Sequence, residues 1–137
     1  MPILENDSEF LSLLRATRTI AVVGMSDNPS RDSYHVGRYL QRSGYTVIPV
    51  NPLLKTIDDL VAVPDLDHLS APPDLVDVFR RPEFVPEIVE AAIRIGAKAL
   101  WLQFNTYHAG AVARASSAGL PVVHDRCIMV EHRRLAR

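Results

Sequence analysis

Short apolar runs alternate with longer amphipathic stretches along this chain, and the alternation predicts its elements. Residues 6–15 place Phe10, Leu11 and Leu14 on one face of a short helix, with Asn6 as its cap and Glu9 reaching back to complete a capping box. Thr19–Val23 is a continuous apolar run closed by Gly24, the pattern of a strand buried on both faces. Residues 33–43 return to helical period, with Val36, Tyr39 and Leu40 inward and Gly44 as the stop. Thr46–Val50 predicts the second strand, although Pro49 removes one backbone donor near its end.

Residues 53–73 have no clear period; the pattern offers only a helical turn at 66–69 and an extended stretch forced by Pro72-Pro73. Beyond them the alternation resumes. A third strand is expected at 75–79, a helix at 82–95 with proline in its first turn, and a fourth strand at 99–103. A helix at 107–118 closed by Gly119 and a fifth strand beginning at 121–123 complete the series.

Strands that alternate with helices call for parallel pairing, right-handed crossovers and helices on both faces. The expected fold is α/β: a Rossmann-like, doubly wound parallel sheet of about five strands in three αβα layers. No repeat or linker divides the chain, so residues 1–137 read as one domain, with the helix of residues 1–16 packed on it. Ligands of such sheets bind beyond the carboxyl ends of the strands, where strand order reverses. Four places qualify: 24–33, Asn51-Pro52, 79–82 and 103–107.

Composition narrows the function classes. At 137 residues, 47% hydrophobic and 23% charged, the chain is globular rather than disordered and long enough to bury a core. A formal charge of −1 provides no field to hold a polyanion, so nucleic acid is not an expected partner. The single cysteine, Cys127, allows no intrachain disulfide and suits a reducing compartment. The N-terminus lacks the pattern of a signal peptide, and no apolar stretch approaches the roughly 20 residues that span a bilayer. The expectation is a cytoplasmic protein without a membrane partner.

The loop after the first strand is the richest candidate. Gly24 lets a ligand approach the backbone, Ser26, Ser30 and Ser33 offer hydroxyls, and Arg31 offers a fork that fits phosphate oxygens. The following helix adds free amides and a partial positive charge. Taken singly, Ser33 reads as a helix cap and Asn28-Pro29 as a turn; their convergence at a strand end makes the site. The loop has neither Gly-x-Gly-x-x-Gly nor a Walker lysine, and Asn51-Pro52 stands where an NAD enzyme places its ribose-binding acid.

Several motifs in order give the chain a family likeness. Gly24-x-Ser26-x-x-Pro29-x-Arg31-x-Ser33-Tyr34, Val50-Asn51-Pro52 and Asp77-Val78-Phe79-Arg80-Arg81-Pro82 resemble the small bacterial CoA-binding domain proteins. The likeness continues through Gly96-Ala97-Lys98, Trp101-Leu102-Gln103, Asp125-Arg126-Cys127-Ile128 and Glu131-His132. That family is similar in fold to the CoA-binding domain of the succinyl-CoA synthetase α subunit. The resemblance implies that Gly24, Ser26, Arg31 and Tyr34 line the phosphate-bearing part of coenzyme A, with Ser33 among the cofactor-binding residues. It also implies that Asn51 and Pro52 shape the next wall, that Phe79, Arg80, Arg81 and Pro82 border the nucleotide, and that Gln103 closes the far side. Three departures stand out: Asp32 where the family pattern has proline, a shortened segment at 53–60, and Asn105-Thr106-Tyr107-His108 after the glutamine.

The expected function is binding of coenzyme A or an acyl-CoA, with no catalytic machinery on this chain alone. The alternatives are an NAD(P)-dependent or acyl-CoA-handling enzyme, and an interaction subunit whose exposed sheet edge or helix pairs with itself or with a synthetase-like partner. The five histidines show no zinc spacing. Cys127, among Ile128, Met129 and Val130, reads as a small buried core residue rather than a nucleophile.

Overall fold

A computed structural model describes residues 3–137; Met1 and Pro2 of the expected 1–16 segment lie outside the described residues. The elements in chain order are α1 (Asp7–Ala16), β1 (Thr19–Val23), α2 (Asp32–Arg42), β2 (Thr46–Val50), β3 (Thr56–Ile57), β4 (Leu60–Val61), β5 (Leu75–Val78), α3 (Val85–Ile95), β6 (Leu100–Leu102), α4 (Ala109–Ser117), β7 (Val122–His124) and α5 (Ile128–Leu135). Five parallel strands form the sheet in the order β2-β1-β5-β6-β7, and β3 and β4 make a separate antiparallel hairpin. This is a Rossmann-like α/β fold.

Each strand of the sheet is apolar on both sides because helices cover both faces. On one face, Val85, Val89 and Ala92 of α3 and Ala111 and Ala115 of α4 pack on Val76, Leu100 and Val122. On the other, Phe10 and Leu14 of α1, Val36 and Leu40 of α2 and Ile128 of α5 pack on Val22, Leu75 and Trp101. Trp101 is fully buried, and its indole N–H donates to the Arg126 carbonyl at 2.9 Å. The capping box of α1 forms as expected: Asn6 Oδ1 accepts from the Glu9 amide, and Glu9 Oε1 accepts from the Asn6 amide.

Two glycines are required by close approaches. Gly24 has a φ of +85°, and a β-carbon there would stand 2.6 Å from the Phe79 carbonyl oxygen. Gly37 stands in the middle of the unbroken α2 helix with Met25 beneath it; a β-carbon would meet the Met25 methyl at 2.4 Å. The loop after β1 is thereby drawn tightly against the helix it feeds.

Three features differ from the pattern reading. Residues 128–135, to which the pattern assigned no element, are a helix, and Cys127 is its half-buried N-terminal cap residue, packed against the core rather than enclosed in it. Residues 53–60, which lacked a period, run into the β3–β4 hairpin, whose strands of two residues each are too short to show alternation. The hairpin tip is held by α2: Tyr34 Oη donates to Asp58, and Arg38 Nη1 donates to Asp59 Oδ1 at 2.8 Å.

Both edges of the sheet are engaged. Beside β2, the Val63 amide donates to the Pro49 carbonyl and the Asn51 amide donates to the Val63 carbonyl. Beside β7, the Leu4 amide donates to the Val122 carbonyl at 2.8 Å.

Candidate functional site

Strand order reverses between β1 and β5, so the carboxyl ends of these two strands mark the expected crevice. Gly24 follows β1 and Phe79 follows β5, and their close contact forms a ridge between two clefts. The first, of about 470 Å³, is lined by Gly24, Ser26, Arg31, Ser33, Asn51 and Phe79, with Asp27 and Asp32 at its polar rim. The structure thus brings six of the sequence-predicted residues to one cavity.

Several of them act on the loop itself. Ser33 is buried, and its Oγ accepts the Ser26 amide at 2.9 Å, fastening the loop to the first turn of α2. Ser33 is therefore a strut and not the cap; the cap position belongs to Arg31, whose side chain makes no capping bond. Ser26 Oγ accepts from the Asn28 amide, and Asn28 Oδ1 accepts from the amide and hydroxyl of Ser30. Asn51 ties the ends of β1 and β2 together: its Nδ2 donates to the Met25 carbonyl at 3.0 Å while its Oδ1 accepts from the Leu53 amide.

These bonds fix the loop and leave the helix end free. α1 satisfies its first-turn amides with Asn6, and α4 uses His108 Nδ1, which accepts from the Ala111 amide. An arginine at the cap of α2 offers no acceptor, so the Asp32 and Ser33 amides of its first turn have no side-chain cap and stand at the cleft wall beside a cation. That combination suits an anion. Asp27 and Asp32 oppose it, and both belong to the same cavity wall.

Tyr34 does not line this cavity. Its hydroxyl is committed to Asp58, a bond that holds the phenol above its ordinary pKa and fixes the hairpin. Pro52 and Arg80 face the second cleft, of about 330 Å³, whose floor is Val23, Val50 and Ile88 and whose rim carries Asp65 and Glu87. The Arg80 guanidinium lies 4.2 Å from the centre of the Phe84 ring, a stacked position that fixes its direction.

A third cleft, of about 310 Å³, lies beyond β6 and α5. Asp32 and Phe79 belong to it as well as to the first, and Gln103, Cys127 and Val130 complete much of its wall. Gln103 is buried, and its Oε1 accepts from the Ile128 amide at 3.1 Å, serving the N-terminus of α5. Among the described residues no group of three or more His, Cys, Asp or Glu is placed to hold a metal ion.

Asp77 is the residue that the pattern reading passed over. It stands in the middle of β5, between Val22 and Trp101 in register, wholly buried, and neither carboxylate oxygen has a hydrogen-bond partner. Burial alone raises its pKa well above the ordinary carboxylate value. A charge inside an otherwise apolar run was the signal available in the sequence.

With the geometry in place, comparison with known proteins decides the family. The model of the CoA binding domain family matches residues 18–133. The chain belongs to the CoA binding domain family. YneT of Bacillus subtilis (strain 168) is 36% identical over 125 residues, which cover 91% of this chain and 93% of that protein. A hypothetical protein from Pyrococcus horikoshii OT3 has a structure similar to this one at a TM-score of 0.94, with 38% identity over 97% of this chain and 94% of that one. Acetyl-coenzyme A synthetase 1 of Ca. Korarchaeum cryptofilum shares the fold: its TM-score is 0.71 at 23% identity, over 82% of this chain and 27% of the synthetase. Membership of the CoA binding domain family associates this chain with coenzyme A at the level of the family. No helix among the described residues is long and apolar enough to cross a membrane.

Proposed function

We propose that the chain binds coenzyme A as one unit, with the diphosphate in the first cleft and the adenosine in the second. The observation that carries this reading is the uncapped N-terminus of α2, which faces a polar cleft next to Arg31 at the strand-order reversal. The loop around it is rigid before any ligand arrives, because Ser33 and Asn51 have already tied it to the helix and to β2. Binding there costs little ordering entropy.

The second cleft lies on the far side of the Gly24–Phe79 ridge and suits the flat adenine ring: Val23, Val50 and Ile88 give it an apolar floor. Arg80, held over Phe84, is the cation available to a phosphate on the ribose. Gly24 allows the ligand to cross the ridge. This arrangement needs no acid–base pair, and binding without chemistry is the function it supports. The NAD(P)-dependent alternative lacks both the glycine fingerprint and an acid at Asn51.

Calorimetric titration with CoA, dephospho-CoA and NAD tests the proposal, with Arg31→Ala as the control. The expected result is saturable CoA binding, weaker for dephospho-CoA, lost for NAD and reduced in the variant. NAD binding without CoA binding would return the protein to the dinucleotide class.

A further inference from the structure

The third cleft lies at the carboxyl edge of the sheet, and the diphosphate and adenosine have no claim on it. Its wall is mostly apolar: Phe79, Val130, Met129 and Cys127 face it, with Phe104 at the rim. Phe104 and Val130 are 58% and 45% exposed, an apolar surface held open to solvent beside the cavity. Through Asp32 and Phe79 it is continuous with the first cleft, so a ligand anchored by its diphosphate can extend an arm into it.

Asp32, His35 and Asn105 bring exposed polar side chains to this wall, and Gln103 is its one buried polar residue. Gln103 has its main-chain carbonyl occupied by the Thr106 hydroxyl at 2.7 Å and its side-chain Oε1 occupied by the Ile128 amide. The second bond also fixes which way the carboxamide faces, because an amide N–H at Ile128 demands the oxygen. What remains is the Nε2 donor, which has no partner among the described residues although the side chain is more than nine-tenths buried. Nε2 is not among the sealed, unpartnered atoms of the fold, so it is a donor open to the cleft and complementary to a carbonyl oxygen.

We propose that the third cleft binds the acyl end of a short-chain acyl thioester of coenzyme A. Gln103 Nε2 donates to the thioester carbonyl, and the acyl chain lies against Val130, Met129 and Phe79. This rests on the CoA reading above and adds to it a preference for the acylated over the free form. Free CoA presents a thiol there, which gives the Gln103 donor a poor acceptor and leaves the apolar wall wet.

The test compares CoA, acetyl-CoA and butyryl-CoA by calorimetry on the purified full chain. Affinity is expected to rise along that series, by up to about fourfold for each methylene that leaves water. Gln103→Glu keeps an acceptor for the Ile128 amide and replaces the donor by oxygen. It is expected to cut the ratio of CoA to butyryl-CoA dissociation constants about tenfold. Val130→Glu, at an exposed position, sets a carboxylate at the mouth and is expected to reduce the same ratio without touching the α5 cap. Equal affinity for all three ligands would overturn this inference and leave the CoA reading intact. Failure of every ligand to bind would overturn both. A ratio preserved in both variants would remove the third cleft from the acyl site.

Discussion

The carbonyl oxygen of Phe79 lies 2.6 Å from where a β-carbon on Gly24 would stand. The ends of the two strands at the order reversal therefore touch through a position that only glycine can fill, and the first two clefts meet over that contact. Gly24→Ala meets both a left-handed backbone, at about 1–2 kcal/mol, and the Phe79 carbonyl, which cannot move without shifting the end of β5. The expected outcome is a lower thermal midpoint and at least a tenfold loss of CoA affinity, read by scanning calorimetry and titration.

Arg31 and Asp32 are neighbours with opposite effects on the same anion. Removing the guanidinium in Arg31→Ala is expected to weaken CoA binding about tenfold or more, the scale of one charge-assisted hydrogen bond. Asp32→Asn is expected to strengthen it about fivefold by removing a like charge from the cleft wall. Both effects should shrink as salt is raised. A titration series at two ionic strengths checks the pair, and a weakened Asp32→Asn variant would place the phosphates elsewhere.

Tyr34 gives a sharper separation between contact and support. Its hydroxyl holds Asp58 and not the cavity. Tyr34→Phe is expected to change CoA affinity less than twofold, while amides of the β3–β4 hairpin exchange faster with solvent. Hydrogen-exchange mass spectrometry over residues 55–62 reads the second effect.

The pH dependence of stability follows from Asp77. In the unfolded chain its carboxyl ionises near the ordinary value of 3.8, whereas burial in the fold raises that point well above it. The folded state then holds a proton that the unfolded state has lost. Stability is complete below the unfolded pKa and declines as pH rises towards the folded one. Asp77→Leu replaces two unpartnered oxygens by methyl groups among Val22 and Trp101. It is expected to stabilise the protein by about 1–3 kcal/mol at neutral pH and to flatten this part of the profile, measured by urea unfolding at pH 4.5 and 7.5.

The layout was legible where a local period carried it. Thr19–Val23 and Thr46–Val50 coincide with the observed strands because a strand covered on both faces leaves an unbroken apolar run. Strand order was not legible, since it depends on which distant runs pair, as Ile20 does with Leu75. The Ile128-Met129-Val130 triplet hid a helix because three apolar residues in a row fit either period. In the site, strand ends pointed to the right region, but residue type could not tell ligand contact from internal bracing. Ser33, Asn51 and Tyr34 are all polar residues of the resemblance motifs, and each spends a polar group on the protein itself.

The Val63 and Leu4 bonds at the two ends of the sheet have a consequence for how molecules meet one another. A strand from a neighbouring copy meets two short, partly occupied ladders: β2 carries a proline and is already bonded to Val63, and β7 is three residues long and bonded to Leu4. Extension of the sheet by a second copy would have to displace Val63 at one end and Leu4 at the other. The same two contacts work against edge-to-edge stacking from the native state, the hazard that an uncovered sheet edge carries.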